Sequence, residues 1–261
     1  MTVIEEVAMK KAAWILTAFS ILCASSAFAQ GVVLQLPAED AQRINSMLGS
    51  GVVGNPVPSK PITNGIAYFP LQNKTLTYQV TSGRNAGNTQ TLSVSRRSRP
   101  DGQPAWRFQF SPTLAGFLNQ TVDGALIMPA VSDSGEGVVV VSTPANPFVP
   151  NGMNPGETRS FSQNVSVNYL DNPSDQRYSG AVAGTYTYLG TYQVTVPAGT
   201  FNADLIRVKF QGNVGPAHTK DTQYNFFAPG VGVVAMITQE DIEAFWIFNI
   251  DTSTGKVLAA R

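Results

Sequence analysis

Histidine and cysteine are nearly missing from this chain, with one of each in 261 residues. The lone histidine, His218, cannot build a zinc site of ordinary ligand count, and the lone Cys23 leaves no pair for an internal disulfide. Charge is scarce as well. Lys and Arg total 17, Asp and Glu total 17, and together they make 13% of the chain, about half the usual share. A net charge of zero gives no electrostatic footprint for a phosphate backbone, so no nucleic-acid partner is expected. No Gly-x-Ser-x-Gly elbow accompanies the serines, and no apolar run is long enough for a stop-transfer helix. What remains is 43% hydrophobic residues, 23 Gly and 17 Pro without a period, a composition that suits many short strands joined by turns.

The N-terminus carries an address. Lys10 and Lys11 precede the apolar run from Ala12 to Leu22, and Ala27-Phe28-Ala29 supplies a small-residue cleavage site. That order predicts a secretory signal peptide cut after Ala29, and so a periplasmic or secreted bacterial protein. Glu5 and Glu6 are out of place in such a start, which makes Met9 an alternative first residue. Cys23 follows Leu22 rather than the small residue that a lipidated cysteine wants, so lipidation is not expected. Removing the leader also removes Cys23, and the mature chain rests on its apolar core alone.

Three segments are predicted: the signal peptide over 1–29, a short helix and Pro/Gly-rich linker over 30–64, and an antiparallel β domain over 65–261. The helix runs from Pro37 to Leu48 and stops at Gly49, with Ala41, Ile44, Met47 and Leu48 as its apolar stripe. Gly49 to Asn64, with Pro56, Pro58 and Pro61, has the composition of a linker. Beyond it the period changes to two. Leu76, Tyr78 and Val80 alternate with threonines and glutamine, and Phe161, Val165, Val167 and Tyr169 alternate with serines and asparagines. Trp106, Phe108 and Phe110 do the same around Arg107 and Gln109. This is the pattern of antiparallel sheet with one dry and one wet face, and the turn signals divide it into roughly ten to twelve strands. Thr143 to Thr158 carries four prolines and is expected as a long irregular loop. A membrane barrel also has period two, but the chain end lacks an aromatic residue and no aromatic girdles stand out.

Three stretches carry a resemblance. They are Tyr68-Phe69-Pro70-Leu71 leading into Leu76-Thr77-Tyr78, Tyr192 to Phe201 with its Val-Pro-Ala-Gly-Thr-Phe, and Tyr224 to Val234 with its Pro-Gly-Val-Gly-Val-Val. The chain from about 66 to 238 resembles a family of bacterial envelope proteins classed as a domain of unknown function, similar in shape to the periplasmic lipoprotein carriers. The family's first strand has Trp two residues before its Tyr, where this chain has Leu76. The resemblance implies an all-β fold: a strongly curved antiparallel sheet or an incomplete β-barrel, preceded by a signal peptide and one short helix. It implies no activity. From the residues themselves, Pro197 to Thr200 predicts a hairpin connection, Pro229-Gly230 a turn, and Gly232 a bulge or close approach.

Catalytic candidates are few. His218 with Asp221 three residues on could belong to a Ser-His-Asp set, but lies in a turn-rich stretch and is expected to be solvated. Glu240, Asp241 and Glu243, and Asp133 with Glu136, lack calcium-loop spacing. Arg96, Arg97 and Arg99 are expected as surface charge. No catalytic residue, metal site or cofactor is predicted. The aromatics are the stronger signal. Trp106, Phe108, Phe110, Tyr186, Tyr188, Phe210, Tyr224 and Phe226 are predicted to share one inner face and to form the ligand-binding site, with Tyr192, Phe245, Trp246 and Phe248 as further members of that face. Phe245 to Phe248 is apolar on both faces, so that strand is expected to be central or covered by something, with the N-terminal helix as one candidate cover. The expected function is a non-enzymatic exported protein that binds a lipid-like apolar ligand in a curved sheet. The alternative is an envelope assembly factor with a filled interior that binds another protein, and a hydrolase is the third reading.

Overall fold

The computed structural model describes residues 31–244 and 248–261. The leader with Lys10, Cys23 and Ala29 lies outside the described residues, as do Phe245 and Trp246. Twelve strands succeed one another as antiparallel neighbours: β2 (Lys74–Ser82), β3 (Thr89–Ser98), β4 (Pro104–Gln109), β5 (Leu114–Gln120), β6 (Leu126–Asp133), β7 (Val138–Val149), β8 (Thr158–Tyr169), β9 (Gln176–Val196), β10 (Gly199–Val214), β11 (Ala217–Ala228), β12 (Gly232–Ala244) and β13 (Phe248–Ala260). β13 then pairs with β2, Leu258 opposite Tyr78, and the meander becomes a closed barrel. The all-β antiparallel architecture is as the alternation predicts. The curvature goes further than an incomplete barrel, because closure gives every ring strand two partners and removes the free edges.

Phe148 of β7 packs against Phe108 of β4 and Phe227 of β11, with ring centroids 6.0 and 5.6 Å apart. These strands stand well apart around the ring, so the face they share is the inside. Alternation then assigns the rest. Phe161 and Val165 of β8 point inward, which turns Ser160, Ser162, Asn164 and Ser166 outward. Thr75, Thr77 and Gln79 of β2 and Arg207, Lys209 and Gln211 of β10 are outward too. A transmembrane barrel has the opposite arrangement, apolar side chains toward lipid. These strands are built to face water.

One end of the barrel is plugged. A single helical turn, α2 (Gly65–Tyr68), is capped by the Asn64 side chain, which accepts from the Ile66 amide at 3.2 Å. It delivers Phe69, fully buried, between Phe108 and Phe148. Gly65 is required there because a Cβ would lie 2.8 Å from the Leu126 amide nitrogen. The inward Lys74 stretches over the Phe69 ring at 4.3 Å and donates to the Val231 carbonyl at 3.1 Å. Burial pushes its ammonium down to about 8.

Helix α1 (Ala38–Leu48) starts after Pro37 and stops at Gly49, whose φ of 102° suits glycine, as expected from the sequence. Its buried stripe is Asp40, Ile44 and Leu48, one side chain per turn, and Asp40 makes it unusual. Asp40 is 1% exposed on the outer face of the barrel, where it accepts from Arg207 Nη1 at 2.7 and 2.9 Å and from the Tyr224 hydroxyl at 2.6 Å. Nearby Arg43 donates to Gln239, and the Met47 carbonyl accepts from Thr81 at 2.7 Å. The helix thus ties β10, β11, β12 and β2 together from outside.

Gly49 to Asn64, expected as a linker, is held to the barrel. Strand β1 (Val53–Val57) pairs with the part of β9 that β8 does not reach, and Ser59 and Ile62 bridge to Val32 and Met153. Proline is tolerated in β1 because an edge strand leaves one row of N–H groups unused. Thr143 to Thr158 is likewise more regular than expected. Its first half belongs to β7, with Pro144 and Pro147 placed where the β6 register shifts and a ladder N–H is not demanded. The hairpin expected at Pro197 to Thr200 joins β9 to β10, Val196 opposite Gly199.

If α1 is latched through Asp40, Asp40→Ala strands a guanidinium and a buried hydroxyl, and should cost about 3 kcal/mol in urea unfolding, the lower end for a broken buried pair. A loss below about 1 kcal/mol, typical of exposed pairs, would contradict that latch.

Candidate functional site

The half of the barrel away from α2 is not filled. A cavity of about 500 Å³ lies between β7, β8, β9, β10 and β11 and opens beside the turns at Glu136 and Pro216 and the start of β9 at Arg177 and Tyr178. Its walls come from inward positions: Val138 and Val140 of β7, Phe161, Val165 and Val167 of β8, Val182 of β9, and Phe210 and Val214 of β10. Two inward glycines explain why space remains there. A Cβ on Gly184 would sit 2.1 Å from the Lys209 carbonyl oxygen, and one on Gly212 would sit 2.1 Å from that of Ala181. β9 and β10 therefore approach too closely for any larger residue, and the missing side chains leave volume inside the ring.

The polar lining gathers at the inner end. Ser142, Asn146 and Gln163 face the cavity there, and Asn146 accepts from the Tyr186 hydroxyl. The Tyr186 ring packs against Phe161 with centroids 4.7 Å apart. Burial raises the Tyr186 hydroxyl above its ordinary range, so it stays a neutral donor. Gln163 is 4% exposed, and its Nε2 has no hydrogen-bond partner among the described residues. The mouth carries both signs, Arg177 and Glu136, with the Arg177 guanidinium 5.3 Å from the centre of the Tyr178 ring.

The eight aromatics predicted to form one site separate into groups. Phe210 lines the cavity, and Tyr186 reaches it through Asn146 and Phe161. Phe108 and Phe110 lie inside the barrel but in the packed half, their centroids 4.5 Å apart. Trp106 stands at the plugged end against a surface hollow shared with Ile66, Leu71 and Arg96. Tyr188 is wholly buried and 3.1 Å from both the Lys60 carbonyl and the Thr191 hydroxyl. Tyr224 and Phe226 alternate with the inward Phe227 and so face outward, Tyr224 under α1. The structure does not bring those two together with Phe210. Gln163, Phe161 and the inward valines were missing from the predicted set; the alternation of β8 held their signal.

A second buried polar group surrounds Asp204, which accepts from the Thr191 hydroxyl at 2.5 Å beside Tyr68 and Tyr188. Burial raises its pKa, and the hydroxyl donors offset part of that rise. Every partner there is a packed side chain, so this cluster holds the fold together rather than facing a ligand. His218 is exposed on β11, 3.0 Å from Asn213. Asp221, three residues on, is buried on the opposite face of the same strand, so the two do not form a catalytic pair.

No protein-family model and no curated protein matches this chain. Two crystal structures resemble it. One is of a protein assigned as a lipoprotein from Parabacteroides distasonis, with 14% identity and a TM-score of 0.37, covering 74% of this chain and 97% of that one. The other is of a protein assigned as exported, with a YmcC-like fold, from Bacteroides fragilis, with 13% identity and a TM-score of 0.37, covering 77% of this chain and 98% of that one. Likeness at this level carries no function across.

The division into a packed and an open half predicts different costs for two phenylalanines. Phe108→Ala should lose about 3–5 kcal/mol through burial and cavity terms. Phe210→Ala enlarges space that already exists and should lose about 1–2 kcal/mol. Denaturant melts of both variants check this, and equal losses would contradict it.

Proposed function

We propose that this protein is an exported, non-enzymatic β-barrel that holds a lipid-like apolar ligand inside the ring. The observation that carries the reading is the cavity of about 500 Å³, walled by valine and phenylalanine and open at one end. Its volume falls within the range of about 300–1,000 Å³ common to small-molecule sites, and its apolar walls with a few polar groups match their usual make-up. The export pattern ending at Ala29 fits an envelope location, where a water-facing barrel can shelter an apolar molecule. The ligand site proposed here is Phe210, Tyr186, Phe161, Val140, Val165 and Val182, with Gln163 at its inner end. The reading as an assembly factor with a filled interior fits the plugged half of the barrel and leaves the open half unexplained.

Native mass spectrometry of protein purified without detergent tests this directly. Wild type should carry an apolar adduct and should enhance the fluorescence of N-phenylnaphthylamine. Val140→Trp, which fills the cavity from its wall, should lose both while folding normally. Wild type that carries no adduct and leaves the probe dark would contradict the proposal.

A further inference from the structure

The proposed cavity has one feature that a store for plain hydrocarbon would not need. Gln163 sits on β8 between Phe161 and Val165, opposite Val182 of β9, and is 4% exposed. Its Nε2 is buried without a hydrogen-bond partner among the described residues. A buried amide left without an acceptor costs free energy that evolution rarely leaves uncompensated, and each such group calls for an explanation. Gln163 also lies deep. Val167 near the mouth lies four positions further on, about 13 Å along an extended strand. Between them the lining is valine, so water drawn to the amide would have to remain among apolar side chains.

Building on the proposed ligand site, we infer that the cavity selects a neutral chain molecule bearing a carbonyl oxygen, an ester or amide, whose oxygen accepts from Gln163 Nε2. Neutrality follows from the surroundings. The inner end offers Ser142, Asn146, Gln163 and the un-ionised Tyr186, and no cation lines it among the described residues. A carboxylate there would be desolvated without a counter-charge, which costs far more than one amide hydrogen bond returns. Among the described residues the one cation in the lining, Arg177, is at the mouth. A molecule entering carbonyl first therefore places its oxygen at Gln163 and its chain along Val140, Val165 and Val182.

The test is displacement of N-phenylnaphthylamine from the purified protein by methyl decanoate, dodecane and decanoate, on wild type, Gln163→Leu and Gln163→Met. Wild type should prefer methyl decanoate to both others. Either substitution should weaken methyl decanoate about tenfold, the worth of one hydrogen bond, and leave dodecane unchanged. Both variants should melt at a higher temperature than ligand-free wild type, because an unpaired amide has left the interior; a merely structural glutamine would shift the melt downward. Equal binding of ester and alkane by wild type, unaltered by either substitution, would overturn the inference and leave the cavity reading standing. Tightest binding of decanoate would overturn its neutrality. No binding of any probe to wild type would remove both.

Discussion

The hydrogen bonds between β13 and β2 join the end of the chain to the start of the barrel, and with them the ring is closed. Once the ring is shut, each strand has one face committed to a fixed interior, and the number of strands sets how much side chain that interior can take. Twelve strands enclose more than the inward residues fill. The chain answers this differently at its two ends. At one end it folds α2 back and fills the space with Phe69, Phe108, Phe148 and Phe227. At the other it places Gly184 and Gly212 on inward positions and leaves the space open.

The outside of the barrel is equally divided. Outward positions of β2, β3 and β8 are mostly serine, threonine, asparagine or glutamine, which suits contact with water. The outer face of β11 instead carries Tyr224 and Phe226, and there α1 lies over it. The latch is polar at its centre: Asp40 binds Arg207 and Tyr224 while Ile44 and Leu48 pack beside it. The ion pair fixes where the helix lies, and the apolar stripe supplies most of the stabilisation by burial. Strand β1 then uses the exposed end of β9, so the N-terminal segment seals both an apolar face and an edge.

Much of this was legible in the sequence, because alternation is a local property. Phe161, Val165 and Val167 against Ser160, Ser162 and Asn164 gave the inner face of β8 correctly, and Pro37 with Gly49 bounded the helix. Alternation gives the two faces of a strand but not which one is inside. On β11 the apolar face is outward because a helix covers it, so hydrophobicity pointed the wrong way for Tyr224 and Phe226. On β9 the register shifts opposite Leu205 and Ile206, which reverses the faces between Tyr188 and Tyr192. Closure was not legible either, since nothing local in β2 or β13 says that they meet. Gln163 was passed over for the same reason: a glutamine in a strand is ordinary until its face is known to be buried.

On the proposed function, the interior of β7 to β11, and no outer surface, receives an apolar ligand. Methyl NMR of the valines tests it most directly, because Val138, Val139, Val140 and Val141 follow one another and alternate between inside and outside. On titration with methyl decanoate, the methyl signals of Val138, Val140, Val165 and Val182 should shift while those of Val139 and Val141 stay in place. Shifts confined to Val139 and Val141, or spread evenly over all four neighbours, would rule out an interior site.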